Sequence, residues 1–166
     1  MAQSNHLIYD TTGIRVTPGA CVVIVKTAWN ANYVNELERG AREVLEAQHV
    51  HVETIVVPGA VEIPFAIKQY WESKKYSTKR PVGFIALGCV LRGDTPHFDY
   101  VCQSVTAGIT QLNIQLPVPV IFGVLTVNTE AQIEERLGGI HGHKGQEAAV
   151  TALHMITFNE LLTKRS

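Results

Sequence analysis

Residues 82–101 read VGFIALGCVLRGDTPHFDYV, and their reading decides the fold. Val82–Leu87 is a continuous apolar run without alternation, the pattern of a strand buried on both faces of a parallel sheet. A polar loop is expected over Gly88–Pro96. Phe98, Val101, Cys102, Val105, Ile109 and Leu112 then recur at helical spacing. Upstream, CVVIVK at Cys21–Lys26 is another all-apolar strand, followed by helical spacing of Val34, Leu37, Ala41, Val44 and Leu45. HVETIVV at His51–Val57 and the turn Pro58-Gly59 lead to a helix marked by Ile63, Ile67, Tyr70 and Trp71, with Pro64 tolerable only in its first turn. Downstream, VPVIFGVLT at Val118–Thr126 is a fourth strand. It precedes a short helix at Thr129–Arg136, a glycine-rich loop at Gly138–Gly145 and a last helix bearing Ala149, Ala152, Leu153 and Ile156. Four strand–helix repeats predict an α/β fold with helices on both sides of a four-stranded parallel sheet.

Composition bounds the function. With 166 residues, 46% hydrophobic, the chain suits one ordered domain. Residues 14–166 are read as that domain, and residues 1–13 as a flexible or partner-bound arm. Charged residues are only 17%, against about 25% in soluble proteins at large, which points away from a monomer. A net charge of -1 with no basic run argues against nucleic acid. No apolar run approaches the ~20 residues of a membrane span. Cys21, Cys89 and Cys102 lack CxxC spacing and read as free thiols of a reducing compartment, the cytoplasm.

In an open parallel sheet, ligands bind beyond the carboxyl ends of the strands, here Thr27–Ala31, Pro58–Glu62, Gly88–His97 and Thr126–Thr129. Gly93, Asp94 and Thr95 precede a helix start, whose free N–H groups favour an anion. His97 sits at the same start, where positive potential favours a neutral imidazole able to accept a proton. Glu62 is the lone charge in VPGAVEIP (residues 57–64) and offers several lone pairs to hydroxyls. Trp29 can stack on a flat heterocycle while Asn30 bonds its edge. Each also has a structural use: Asp94 or Thr95 as an N-cap, Glu62 facing a helix dipole, Trp29 covering an apolar rim. Arg136 and Lys144 in RLGGIHGHKGQE (residues 136–147) are candidate phosphate ligands. No Walker or dinucleotide pattern occurs. His141/His143 and His49/His51 lack an evident third ligand, so no metal is expected.

Together these segments resemble the lumazine synthases: WN after the first strand, VPGAVEIP after the second, GCVLRGDTPHFDYV after the third, PVIFGVLT on the fourth and R…GHKGQEAA before the last helix, in family order over nearly all of residues 19–160. The resemblance implies a flavodoxin-like three-layer α/β/α sandwich assembled as pentamers with sites between neighbours. It implies a transferase of riboflavin biosynthesis that needs no cofactor. The reaction joins 5-amino-6-(D-ribitylamino)uracil to 3,4-dihydroxy-2-butanone 4-phosphate, giving 6,7-dimethyl-8-ribityllumazine. By position, Trp29 stacks on the pyrimidine, and Ala60, Val61 and Glu62 hold the ribityl chain near Asn30. Cys89, Val90 and Leu91 bond the pyrimidine through backbone. Gly93, Asp94, Thr95 and Arg136 hold phosphate, with Lys144 close by. His97 moves protons, and Phe122 reaches in from the adjacent subunit.

The sequence departs from the family where Trp29 replaces a frequent phenylalanine and Asp94 brings a carboxylate to a phosphate loop, where it is expected to offer only its backbone. The alternative reading is a non-catalytic flavin-binding or shell-forming relative, against which His97 and Arg136 count. The uninterrupted RLGGIHGHK (residues 136–144) favours closure of pentamers into a 60-subunit icosahedral shell. Leu7, Ile8 and Tyr9 suit strand addition to a neighbour, and riboflavin synthase is a possible partner.

Overall fold

The computed structural model describes residues 6–163. Residues 1–5 of the expected arm lie outside the described residues. The central sheet contains β1 (Cys21–Thr27), β2 (His51–Val57), β3 (Gly83–Leu91) and β4 (Val120–Val127). All four are parallel, in the order β2-β1-β3-β4, the flavodoxin-like arrangement. The two central strands carry the unbroken apolar runs: Cys21–Val25 and Phe84–Leu87 are buried on both faces.

The helices form two layers. Helices α1 (Ala31–Ala47) and α5 (Lys144–Thr163) cover one face, where Val34, Leu37, Ala41 and Leu45 meet Ala149, Ala152, Leu153 and Ile156 over Val22, Ile24, Ile85 and Leu87. Helices α2 (Ile63–Lys74) and α3 (His97–Gln115) cover the other, where Ile63, Ile67 and Trp71 join Val105, Ile109 and Leu112 over Val23, Val25, Phe84 and Ala86. Alternate residues of one strand serve opposite cores, as the strand period of two requires. Pro64 stands in the first turn of α2, where its missing N–H costs nothing.

Close approach of α1 and α5 depends on glycine. A Cβ on Gly145 would stand 2.0 Å from the Leu37 carbonyl oxygen, and one on Gly40 would stand 2.1 Å from the His143 ring. His143 is buried, with Nε2 3.3 Å from Glu36 Oε1. It is thus a structural residue.

Two expectations need correction. The polar loop expected from Gly88 begins later, because β3 runs on through Leu91, pairing Gly88–Leu91 with Val124–Val127. The glycine-rich loop contains a small antiparallel hairpin, β5 (Leu137–Gly139) and β6 (Gly142–His143), after α4 (Glu130–Glu134). Gly138 and Gly142, at φ 110 and 72, supply its left-handed positions. In the described part of the arm, His6–Tyr9 forms a 3-10 turn. Tyr9 fastens it, donating to Glu147 at 3.1 Å and accepting from the His143 amide at 2.8 Å. Among the described residues, no helix is long and apolar enough to cross a membrane.

Candidate active site at the carboxyl ends of the strands

The loops after β1 and β2 are hydrogen-bonded to each other. The Ala28 amide donates to Val57 O at 2.7 Å and the Trp29 amide to Pro58 O at 3.1 Å. Buried Thr27 donates its hydroxyl to Trp29 O at 3.0 Å. Asn30 adopts a left-handed conformation, φ 58 and ψ 36, at the start of α1, one that asparagine tolerates better than most residues. Its side-chain amide donates to Cys89 O at 2.8 Å, spanning from the end of β1 to β3.

Trp29 and Glu62 converge on Gly59. The Gly59 amide donates to Glu62 Oε2 at 3.0 Å, closing a reciprocal cap on the 3-10 turn Ala60–Glu62. A Cβ on Gly59 would lie 2.5 Å from Trp29 Cζ3 and 3.1 Å from Glu62 Oε2. The indole is 67% exposed, so one broad aromatic face stays open beside a positioned carboxylate. Ala60 is buried and Val61 exposed. Glu62 thus has its structural use, with Oε2 held by the Gly59 amide.

The start of α3 differs in detail from expectation. The N-cap is Pro96, not Asp94 or Thr95. Thr95 nevertheless supports the turn by accepting the His97 amide at 3.4 Å. Gly93, Asp94, Thr95 and His97 are all exposed, and a Cβ at Gly93 would meet nothing within 4 Å. This segment is an open, exposed loop leading into the start of a helix. Val90 and Leu91, half-buried, end β3 just before it. Burial pushes the Cys89 thiol up to about 11, which makes it a poor nucleophile near neutral pH.

Sequence spacing missed Arg92. Its guanidinium lies 4.2 Å over the Phe98 ring, donates to Asp99 at 2.7 Å and to Asn128 Oδ1 at 2.8 Å. It clamps the β3–α3 loop to the β4–α4 loop. No local pattern signals this, because Asn128 is far along the chain. The connection continues: Asn128 N donates to Gln132 Oε1 at 2.8 Å, and Arg136 Nη1 donates to Gln132 O at 2.9 Å.

Phe122 and Lys144 lie elsewhere, together lining a cavity of about 490 Å3 on the β4 edge. Strands are spaced about 4.8 Å apart and rise about 3.3 Å per residue. Phe122, five residues before the end of edge strand β4, is therefore about 20 Å from the Trp29–Glu62 corner beyond β1 and β2. The fold of one chain does not bring the two sets together. Lys144 is paired with Glu147 at 2.7 Å, and its amide donates to Arg136 O at 2.9 Å.

Comparison with known proteins identifies the family. A family model described as 6,7-dimethyl-8-ribityllumazine synthase matches residues 19–160. Relatives bearing that name are 45% identical in Parabacteroides distasonis, over 95% of this chain and 98% of the relative, and 46% identical in Porphyromonas gingivalis, over 93% and 96%. A third, in Phocaeicola vulgatus, is 41% identical over 99% and 98%. The chain belongs to the 6,7-dimethyl-8-ribityllumazine synthase family.

Proposed function

We propose that this protein is a transferase that condenses 5-amino-6-(D-ribitylamino)uracil with 3,4-dihydroxy-2-butanone 4-phosphate to 6,7-dimethyl-8-ribityllumazine, releasing phosphate and water. The observation that carries the site assignment is the shared seating of Trp29 and Glu62 on Gly59. A flat ring lying on the indole places a polyol substituent against the carboxylate, whose free lone pairs accept from hydroxyls.

The residues divide the chemistry. Trp29 and the backbone of Cys89, Val90 and Leu91 orient the pyrimidine so that its amine faces the sugar ketone. Ala60, Val61, Glu62 and Asn30 hold the ribityl chain. Gly93, Asp94 and Thr95 present backbone N–H groups to the phosphate, and Arg136 and Lys144 add positive charge. His97 takes and returns the protons that accompany imine formation, phosphate elimination and ring closure. Positioning two reactive substrates supplies much of the acceleration.

We propose further that the working site is shared between subunits. Two observations support this: Phe122 and Lys144 lie on the β4 edge, away from Trp29 and Glu62, and large apolar side chains including Phe65, Tyr100, Ile114 and Phe158 are exposed. Such faces are covered in stable assemblies. A cyclic pentamer fits this reading, and the compact Leu137–His143 hairpin leaves its rim free for closure into an icosahedral shell. The free thiols suit the cytoplasm, and riboflavin synthase is a partner implied by the family alone. Incubating the purified chain with both substrates, with light scattering on the same sample, tests the proposal. Lumazine formation by a particle of pentamer mass or larger is expected; a monomer that turns over would refute the shared site, and no turnover would refute the function.

Arg136 gives a separable prediction. Arg136→Lys should raise KM for the sugar phosphate by about tenfold while leaving that of the pyrimidine near wild type, since lysine cannot bond two phosphate oxygens in a fixed fork. Equal inhibition of wild type and variant by inorganic phosphate would remove Arg136 from that role.

A further inference from the structure

At the opposite end of the sheet, the first residues of β1 and β2 bring three metal-ligating side chains together. Parallel register sets Cys21 beside His51, and the strand period of two puts Glu53 on the same face as His51. Cys21 packs with Val23 and Val25 on the α2/α3 side, so the group faces that layer. The Cys21 sulfur, a His51 ring nitrogen and a Glu53 carboxylate oxygen all lie within 4.8 Å of one another. Glu53 Oε2 accepts from the Tyr70 hydroxyl, while Oε1 stands 3.8 Å from His51 Nε2. The cluster borders a cavity of about 870 Å3 that also reaches Trp71, Lys79 and Arg80. None of the three side chains has a part in the proposed condensation.

We propose that Cys21, His51 and Glu53 bind a divalent transition metal of the zinc class, with a fourth position open to the cavity. The donor set selects the ion. Magnesium and calcium take oxygen ligands, whereas thiolate with imidazole suits zinc and its neighbours. Metal–ligand bonds of about 2.0–2.3 Å require donor atoms roughly 3.3–3.7 Å apart in a tetrahedron. The present separations must therefore close by about 1 Å, well within the swing of a side chain such as His51, which is 64% exposed. Tyr70 orients the glutamate as an outer partner does in protein metal sites. On binding, the Cys21 S–H bond breaks, its electron pair forms the S–metal bond and the proton leaves to water. The ion ties edge strand β2 to β1 at their amino ends. Sequence spacing alone pairs His51 with His49, but the ligands that complete the site come from two strands and a residue two positions on.

Cobalt(II) titrated into the full chain, reduced with a phosphine, tests this. One equivalent should bind with a thiolate-to-cobalt charge-transfer band and the intense visible bands of four-coordinate cobalt. Zinc should displace it and raise Tm. Cys21→Ser should abolish the charge-transfer band, and Cys102→Ser should not. His51→Ala, at an exposed position, should weaken cobalt binding by at least about tenfold, since loss of an outer partner alone costs that much. No thiolate band, a band that survives in Cys21→Ser, or unchanged affinity in His51→Ala would overturn the proposal.

Discussion

Replacing His97 by alanine is expected to slow lumazine formation by about 10²–10⁴-fold, the range of a positioned general acid–base group. Amine and ketone condense slowly without help, so the observed loss should sit towards the lower end. The imidazole is exposed, and the hydrogen bond that places this residue, to Thr95 Oγ1, uses its backbone amide. Removing the ring therefore leaves the start of α3 intact, and Tm should stay within about 1–2 °C of wild type, as for an ordinary surface change. KM for both substrates should change much less than kcat, because the side chain acts on protons in flight. Steady-state kinetics with thermal melting on the same preparations separates these quantities. Turnover near wild type would take His97 out of the chemistry.

The largest effect on stability is expected at Gly145. Adding a methyl group there gains about 1 kcal/mol of helix propensity. It also places carbon 2.0 Å from the Leu37 carbonyl oxygen. That neighbour is backbone, so no rotamer change relieves the contact, and α1 and α5 must separate by more than 1 Å over the core they share. Overpacking of this kind costs about 1–3 kcal/mol and sometimes more. A net loss of about 2 kcal/mol for Gly145→Ala, the upper end of that cost less the propensity gain, corresponds to roughly 4–8 °C in Tm at this chain length. Gly93→Ala is the matched control, since its Cβ would meet nothing within 4 Å. It should melt within about 1–2 °C of wild type, and any change it makes should fall on KM for the sugar phosphate. Equal melting of the two variants would show that the α1–α5 contact yields more easily than its geometry implies.

What the sequence determined by itself was the layering and the position of the strand-end loops that make up the candidate site. Short uninterrupted apolar runs such as Cys21–Val25 and Phe84–Leu87, bounded by turn residues, suit strands buried on both faces. Helical spacing of Val34, Leu37 and Ala41, or of Ile63 and Ile67, needs no distant partner to be read. The turn at Pro58-Gly59 and the start of a helix near His97 were legible for the same reason, because their conformational preferences are local, although the cap itself fell to Pro96 and not to Asp94 or Thr95. Tertiary structure decided whatever rests on groups far apart in the chain. Extension of β3 through Leu91 depends on hydrogen bonds to Val124–Val127, and Gly88 gives no local sign of it. The clamp of Arg92 on Asn128, the seating of Trp29 on Gly59 and the fastening of Tyr9 to Glu147 are likewise pairings between separate elements. Strand register alone sets Cys21 beside His51. The separation of Phe122 from Trp29 follows from strand order, since β4 is an edge and β1 is central. Local preferences act within a few residues and are written in the sequence, whereas contacts across the sheet exist only once the chain has closed on itself.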